Sequence, residues 1–313
     1  MSNLQQTKVK KKNKKRKRDS AFFLMMLPGL TYLFVNNYIP MTGVIIAFKE
    51  LDFSVGILKS KFVGLKNFTY LFQTQDAWLI TRNTLLYNFA FIVLGTLCAI
   101  TVAILLNEIT VKWIQKVYQT TILLPALISI VVVSYLVFAL LSADNGFINN
   151  TILNALGKEA VSWYTEPRYW PIILIVVNLW KGFGFNCIIY YATLISIDRS
   201  YYEAASVDGA SRWQQLINIT LPGLKQTVFT MTLLSIGKIF YSDFGLFYQV
   251  PMNSGMLQNA TNTIDTYVYR AMSQLNDMGM ASAAGLYQSL VGFVLVLAAN
   301  KIVNRYSGSE GIF

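Results

Sequence analysis

Residues 203–222 read EAASVDGASRWQQLINITLP, and this polar, helix-prone segment lies between two long apolar stretches. Ala204 and Ala205 are small enough to let another protein surface approach the backbone closely. Gly209 can adopt the positive φ that ends a helix at little steric cost. The first half of the segment is therefore predicted to be a helix that stops at a glycine turn.

The second half of the segment predicts another helix, which leads into the membrane. Ser211 is a suitable N-cap for a helix that continues through Leu216. Pro222 then falls just inside the lead-in to the next apolar stretch, where its missing N–H costs little. Together these features predict a compact helical projection that is fixed to two membrane helices and forms a docking surface for another protein. An ordinary amphipathic connector is the alternative.

The composition of the whole chain is typical of an integral membrane protein. Of its 313 residues, 54% are hydrophobic and 13% are charged, and the mean hydropathy is +0.45. Soluble globular proteins carry about 25% charged residues. The charges are confined to short segments between long apolar stretches, which is the pattern of membrane spans.

Six apolar stretches are each long enough to cross a hydrocarbon core about 30 Å thick as a helix. Each is predicted to be helical, because backbone groups in lipid must be satisfied within their own segment. The predicted spans are residues 21–48, 83–106, 117–141, 170–197, 228–250 and 278–303, with kinks at Pro28, Pro40 and Pro125. The first is too long for a signal peptide and is interpreted as a retained span. The predicted fold class is an all-α integral membrane protein with six transmembrane helices.

The placement of lysine and arginine predicts the orientation in the membrane. With the N-terminus inside, the inner segments carry sixteen of the 26 basic residues and the outer loops carry eight. Both termini and the loop 198–227 are therefore predicted to be cytoplasmic. Residues 1–20 form a basic tail, predicted to attract anionic lipid at about 1 kcal/mol per basic residue. A nucleic-acid-binding arm is the alternative, but the tail has no interleaved aromatic residues for base stacking.

Several kinds of chemistry are disfavoured by what the sequence lacks. It has no histidine, the commonest metal ligand and general base. Cys98 and Cys187 each lie inside an apolar stretch and are predicted to be packed thiols. The Gly-Lys pairs at 157–158 and 237–238 lack the glycine five positions earlier and the following Ser or Thr of a phosphate loop. The energy for any ATP-driven process must therefore come from a partner.

The spacing Glu-Ala-Ala, three residues, Gly, nine residues, Ile, one residue, Leu-Pro resembles the signature loop of permease subunits of ATP-binding-cassette (ABC) importers. The positions of this pattern are filled by Glu203, Ala204, Ala205, Gly209, Ile219, Leu221 and Pro222. The segments 64–68 and 180–186 resemble the sugar-importing, maltose-type branch of that family. The resemblance covers nearly the whole chain from Ala21 onward. The basic tail and the length resemble permeases for oligosaccharides and polysaccharide fragments of Gram-positive bacteria.

The resemblance implies a type I ABC importer permease fold in which loop 198–227 is a coupling helix that docks on a separate ATPase. Glu203 would pair with a basic group of the ATPase, and Gly209 would set the bend. The implied partners are a second, related but different permease, two ATPase subunits and an extracellular solute-binding lipoprotein, at a bacterial cell membrane. This chain would bind no cofactor, and the ATPase would use ATP and Mg.

The resemblance also implies that substrate contacts lie in the spans on either side of the coupling loop. The candidates are Asn178, Lys181, Gly182, Phe185, Ser235, Lys238 and Ile239. The first four share one helix face by their spacing, and the last three are predicted to do the same. A lysine at the centre of a membrane helix costs about 2.5–3.5 kcal/mol and indicates function. The two lysines depart from the maltose-type pattern and allow an acidic sugar. The alternative is that they are structural, paired with carbonyl groups or with the second permease.

Two other functions are open on the sequence. An importer permease for a non-sugar solute, such as an amino acid or an inorganic anion, would need the same coupling loop. A membrane enzyme would need converging catalytic groups. The acidic residues predicted on the outer face are scattered along the chain, so an enzyme is disfavoured.

Overall fold

The computed structural model describes residues 22–73 and 75–306. The basic tail at residues 1–20 lies outside the described residues. Almost every long segment is helical, because the chain is apolar and offers few polar side chains to hold irregular backbone in lipid.

The helices and strands are numbered in chain order. The α-helices are α1 (Phe22–Phe48), α2 (Gly56–Lys59), α3 (Lys66–Gln73), α4 (Asp76–Asn107), α5 (Lys112–Leu127), α6 (Ile130–Leu141), α7 (Trp170–Ser196), α8 (Arg199–Val207), α9 (Arg212–Gln215), α10 (Leu221–Ile236), α11 (Phe244–Gln249), α12 (Gln258–Thr261), α13 (Ile264–Ser273) and α14 (Met278–Tyr306). Helix α1 includes a π-helical turn at Phe34–Tyr38 and ends in a 3₁₀ turn at Thr42–Phe48. Further π-helical turns are Ile148–Leu153 and Leu216–Thr220, and further 3₁₀ turns are Pro167–Tyr169 and Gly255–Leu257. Two short antiparallel strands, β1 (Lys49–Glu50) and β2 (Lys61–Phe62), pair Lys49 with Phe62.

Four helices of the described chain are long and apolar enough to cross a membrane: α1, α4, α7 with its leading 3₁₀ turn, and α14. Long apolar helices thus occur at four of the six predicted positions. A fifth span is formed if α5 and α6 are counted together, although these two helices are bent by 93°.

The predictions of single helices over 117–141 and 228–250 are wrong. The first is broken between α5 and α6, where Pro125 lies near the end of α5 and the Ser129 side chain caps α6 by accepting from the Val132 amide. The second is broken after Ile236, and the chain does not become helical again until α11. Hydropathy counts apolar residues and does not detect the side chains elsewhere in the protein that stabilise such breaks.

The core of the described structure is built on the packing of α4 against α7, which run in the same direction. Near their N-terminal ends, Tyr87 and Trp170 belong to one buried cluster with Phe247 of α11. Near their C-terminal ends, small residues such as Ala99 and Ala103 of α4 form a second cluster with Tyr190. Small residues allow membrane helices to approach closely, and close approach maximises van der Waals contact.

Helix α1 lies at the edge of the described structure. No residue of its apolar window is buried, and only its terminal 3₁₀ turn makes extensive contacts, with α14. The turn is followed by the strand pair. The buried Asn67, in α3, donates to the carbonyls of Ala47 and Lys49. Helix α1 is thus attached to the rest of the described structure mainly at this junction.

Gly184 marks a close approach between α5 and α7, and it provides a test of this packing. A Cβ at this position would lie 2.2 Å from the carbonyl oxygen of Ile122, whereas a Cβ at Gly182 would meet no atom within 4 Å. We expect Gly184→Ala to destabilise the protein by about 1–3 kcal/mol through overpacking. The measurement is the thermal unfolding midpoint of the purified protein in detergent.

Gly182→Ala is the matched control, because alanine is favoured over glycine inside a helix by about 1 kcal/mol and has room at this position. Its midpoint should stay the same or rise. Equal midpoints for the two variants would contradict the close contact between α5 and α7.

Candidate functional site

The segment 198–222 begins with a helix whose two ends are both capped. The Asp198 side chain accepts a hydrogen bond from the Ser200 amide at 2.9 Å, and this bond holds the pKa of the Asp198 carboxyl below its usual value. At the other end of α8, Gly209 has φ +80°, the Ala210 amide donates to Ala205 and the Gly209 amide donates to Ser206. This is the glycine C-cap expected from the sequence, and it turns the chain sharply after Val207.

The second half of the segment is a helix that continues into the membrane span. Ser211 and Gln214 form a reciprocal capping box at the start of α9. The chain stays helical through the π turn Leu216–Thr220 and enters α10 without a break. In that turn the Leu221 amide donates to the Leu216 carbonyl, five residues back. Pro222, which has no N–H to donate, comes directly after this widened turn.

Side-chain contacts hold the two halves of the segment together. The Tyr202 and Thr220 hydroxyls are 3.0 Å apart, and the Gln215 amide donates to the Ser206 hydroxyl at 2.9 Å. Arg212 also forms an ion pair at 3.0 Å with Glu108, at the C-terminal end of α4. The pair is exposed and contributes about 0–1 kcal/mol. The sequence carried no signal for these contacts, because their partners lie in different elements.

The seven signature residues differ in their exposure. Glu203, Ala204, Gly209, Leu221 and Pro222 are exposed, and Ala205 and Ile219 are half-buried. Within the described chain, Glu203 takes part in no ion pair. Val207 is 87% exposed and Trp213 is 68% exposed, so each half of the segment presents a large apolar side chain next to the glycine turn. The segment thus combines a rigid backbone with an exposed surface of mixed apolar and acidic character.

A cavity of about 420 Å³ lies between α4, α7 and the broken end of α10. Its polar lining residues are Asn88, Thr96, Asn178, Asn186, Ser235, Lys238, Tyr241, Ser242 and Asp243. Apolar walls are supplied by residues such as Phe91 and Phe183. Amides, hydroxyls and one charge of each sign can form hydrogen bonds with a polyhydroxylated molecule. We call this space the central cavity.

Four of the seven predicted pathway residues line the central cavity: Asn178, Gly182, Ser235 and Lys238. The Lys238 side chain makes no hydrogen bond or ion pair with any described residue, and it shares the cavity with Asp243. Asp243 caps α11, with its carboxylate accepting from the Leu246 amide at 3.1 Å. Asn88 and Asn186 were missed in the sequence, because an asparagine in an apolar helix carries no signal of which cavity it faces.

Lys181 does not line the central cavity and instead caps the C-terminal end of α5. Its ammonium group donates to the carbonyl oxygens of Pro125 at 3.4 Å, Ala126 at 3.2 Å and Ile128. The last carbonyls of a helix carry partial negative charge and have no partner within the helix. Lys181 therefore pairs with carbonyl groups, which was the structural alternative for this residue.

Phe185 and Ile239 also lie away from the lining of the central cavity. Phe185 is 60% exposed, on the side of α7 that faces away from the described chain. The predicted shared face of Ser235, Lys238 and Ile239 is wrong, because α10 ends at Ile236 and the next four residues form a turn. A turn, unlike a helix, does not place residues three and four apart on one side.

The break between α10 and α11 is stabilised by side chains from three other helices. Asn88 of α4 donates to the Tyr241 carbonyl, and Gln288 of α14 donates to the Phe240 carbonyl, each at 2.9 Å. The amide and the hydroxyl of Ser242 both donate to Asp265 at 2.7 Å. These three backbone groups of the break therefore have protein partners and do not require water.

Comparison with known proteins assigns the chain to a family. Residues 79–308 match the family described as the binding-protein-dependent transport system inner membrane component. The chain belongs to this family. It is therefore a membrane-embedded transport subunit and not an enzyme, and it works with a solute-binding protein.

Relatives and solved structures agree with this assignment. The chain is 34% identical, over 96% of its length and 95% of the relative's, to the polygalacturonan/rhamnogalacturonan transport system permease protein YteP of Bacillus subtilis (strain 168). It is 29% identical, over 85% and 82% of the two chains, to the arabinooligosaccharides transport system permease protein AraP of Halalkalibacterium halodurans. A crystal structure of a bacterial ABC transporter involved in the import of the acidic polysaccharide alginate matches with a TM-score of 0.84. The identity there is 33%, over 93% of this chain and 97% of that chain. The predicted type I importer permease fold is confirmed.

The capping role of Lys181 leads to a testable difference between the two lysines. Lys181→Met keeps the apolar stem and leaves the carbonyls at the end of α5 without their donor, at about 1–3 kcal/mol per buried acceptor. We expect a lower thermal unfolding midpoint for Lys181→Met in detergent. Lys238→Met is the control, because Lys238 has no such bonds to lose. A midpoint for Lys181→Met as high as that of Lys238→Met would contradict the capping role.

Proposed function

We propose that the chain is the permease subunit of an ATP-driven importer that moves an acidic oligosaccharide through the central cavity by alternating access. The observation that carries the proposal is the position of that cavity between α7 and α10. These two helices flank the segment 198–222, and the cavity is lined by polar groups suited to a sugar.

The connections of the cavity helices support coupling through this segment. Helix α7 is joined to α8 by Ile197 and Asp198 alone, and α9 continues into α10 through the π turn. A displacement of the segment is therefore passed directly to both walls of the cavity. Glu203, Ala204, Ala205 and Gly209 form the docking side that a separate ATPase would contact, while Ile219, Leu221 and Pro222 lie on the lead-in to α10.

The lining of the cavity supports an acidic sugar as substrate. Asn178 and Ser235 offer hydrogen bonds to hydroxyl groups, and Asp243 can accept from them. Lys238 is the one basic side chain among the lining residues, and it is free to bind a carboxylate. The relative named for polygalacturonan and rhamnogalacturonan, and the solved structure of an alginate importer, support the same class.

The further partners belong to the proposal as well. The assembly contains a second, different permease, two ATPase subunits that use ATP and Mg, and an extracellular solute-binding lipoprotein. This chain itself binds no cofactor. A related importer has been solved in complex with its alginate pentasaccharide-bound periplasmic protein, which supports a solute-binding protein as a partner. Both termini lie in the cytoplasm of a bacterium, and the basic tail contacts anionic lipid and no nucleic acid.

A non-sugar importer remains the second candidate function. The observation that favours it is the small number of fixed charges in the cavity, since one lysine and one aspartate could also bind an amino acid. A solute panel that includes amino acids and inorganic anions separates the two functions.

Coupling is tested by Glu203→Ala in the assembled importer. Truncating one partner of an interfacial charge pair costs about 2–5 kcal/mol, so we expect substrate-stimulated ATP hydrolysis and uptake to fall at least tenfold. Glu159→Ala, which removes an exposed acidic residue far along the chain from the segment, should leave both unchanged. Normal uptake with Glu203→Ala in a membrane-inserted importer would overturn the coupling role.

Substrate class is tested by Lys238→Gln in the same assembly, with ATP hydrolysis measured across acidic and neutral oligosaccharides of equal length. Loss of one charge-assisted hydrogen bond, worth about 1.5–3 kcal/mol, should weaken stimulation by the acidic sugars about tenfold or more. Stimulation by neutral sugars, where it occurs, should not fall. An equal loss for acidic and neutral sugars would contradict carboxylate binding by Lys238.

A further inference from the structure

A second cavity, of about 400 Å³, lies between the N-terminal ends of α4 and α7. Arg82 of α4 and Arg168 of the turn before α7 both line it, and both side chains are exposed. Most of the remaining wall is apolar and includes Leu86 and Ile175. We call this space the arginine cavity.

The arginine cavity faces away from the central cavity. Phe91 and Gly95 of α4 line the central cavity, and they lie nine residues after Arg82 and Leu86, which line the arginine cavity. Nine residues make about two and a half turns of an α-helix, so the two pairs lie on opposite sides of α4. The two arginines are therefore not part of the solute site described above.

The side of α4 that carries Arg82 has the pattern of a surface in contact with lipid. Exposed side chains recur along it at every third or fourth position, which puts them on one face. They are Trp78, Arg82, Leu86, Phe89, Val93 and Leu97. A tryptophan and a basic residue followed by apolar residues is the order expected on a helix that passes from the lipid headgroups into the hydrocarbon. We call the last four of these residues the apolar stripe.

The length of α4 places Arg82 close to the boundary of the hydrocarbon core. The helix has 32 residues, which is about 48 Å, and the core is about 30 Å thick. A helix centred on the core therefore extends about 9 Å, or about six residues, beyond it at each end. Arg82 lies six residues after Asp76, where α4 begins, and Arg168 is the second residue of the apolar helical stretch Pro167–Ser196. Both guanidinium groups thus lie at the level of the headgroups.

Neither arginine is neutralised by a close acidic partner. Arg82 donates to the Asn83 side-chain oxygen at 3.0 Å and makes no ion pair with any described residue. Arg168 donates to the Tyr169 hydroxyl at 2.6 Å, and its ion pair with Glu166 is long, at 3.8 Å, and exposed, so the pair contributes little. A guanidinium group has five N–H donors, so each arginine keeps donors for an anion.

We propose that the arginine cavity binds an anionic phospholipid. Arg82 and Arg168 hold its phosphate group, and an acyl chain lies along the apolar stripe below them. A guanidinium group binds two phosphate oxygens with parallel hydrogen bonds, and basic pockets between membrane helices bind anionic headgroups in this way. A protein seated on this face would have to supply carboxylates for both arginines, whereas lipid phosphates are already present at this depth.

The test titrates the purified, assembled importer with phosphatidylglycerol in a nonionic detergent and counts bound lipids by native mass spectrometry. For the double variant Arg82→Gln/Arg168→Gln, we expect the affinity for the first phosphatidylglycerol to fall at least tenfold, because charge-assisted hydrogen bonds to the phosphate are lost. Arg168→Lys alone keeps the charge and should retain part of the affinity. Lys61→Gln/Lys158→Gln, which removes two exposed basic residues outside the cavity, is the matched control and should leave the affinity unchanged.

Two further ligands separate a lipid site from a site for any phosphate. Phosphatidylcholine has the same acyl chains but no net charge, so it should bind the unmodified importer more weakly than phosphatidylglycerol does. Glycerol phosphate has the charge but no acyl chain, and it should not displace phosphatidylglycerol at equal concentration. Equal affinities for the two lipids, or displacement by glycerol phosphate, would contradict the proposal.

The double variant also separates lipid from a protein partner. An unchanged affinity for phosphatidylglycerol would overturn the lipid site. If that affinity is unchanged but the second permease or the solute-binding protein no longer binds, the arginines contact a protein instead. The lipid is measured directly, so the result does not depend on which solute the importer carries, and failure of the proposed function would leave it intact.

Discussion

Every break in a membrane helix exposes backbone amides and carbonyls that lipid cannot satisfy, and the architecture of this protein depends on how two such breaks are stabilised. At the end of α5 the donor is the ammonium group of Lys181. Between α10 and α11 the partners are Asn88, Gln288 and Asp265, each from a different helix. Within the described residues, no buried side-chain nitrogen or oxygen lacks a hydrogen-bond partner.

These breaks also create the functional space. In an uninterrupted helix over 228–250, the side chains would keep regular helical spacing alongside α4 and α7. Because α10 ends at Ile236, the chain turns away and leaves a polar cavity that Lys238 and Asp243 both line. The two lysines inside the membrane therefore have different tasks. Lys181 donates to backbone carbonyls, whereas the Lys238 side chain makes no hydrogen bond or ion pair with any described residue.

Much of this could be predicted from the sequence, and the part that could not has a common physical cause. Apolar stretches predicted four long helices correctly, and Gly209 and Ser211 predicted the turn and the cap within segment 198–222, because these signals are local. A kink was predicted at Pro125, where α5 ends shortly afterwards, but the break between α10 and α11 was not predicted, since its stabilising partners lie far away in the chain. Lys181 was predicted to line the pathway for the same reason. A charge in a membrane helix indicates importance, but the sequence does not show whether its partner is protein or substrate.

The uninterrupted helix from Arg212 to Ile236 is about 37 Å long, and it begins in segment 198–222 and ends at the central cavity. Allosteric coupling through such a helix is reciprocal. If docking of the ATPase changes the affinity of the cavity for its solute by some factor, then the solute must change the affinity for the docked state by the same factor. Under the proposed coupling, a solute in the central cavity would therefore be an effector of the ATPase as well as the substrate. Under the proposed function, ATP hydrolysis by the partner would then be slower when no substrate is bound.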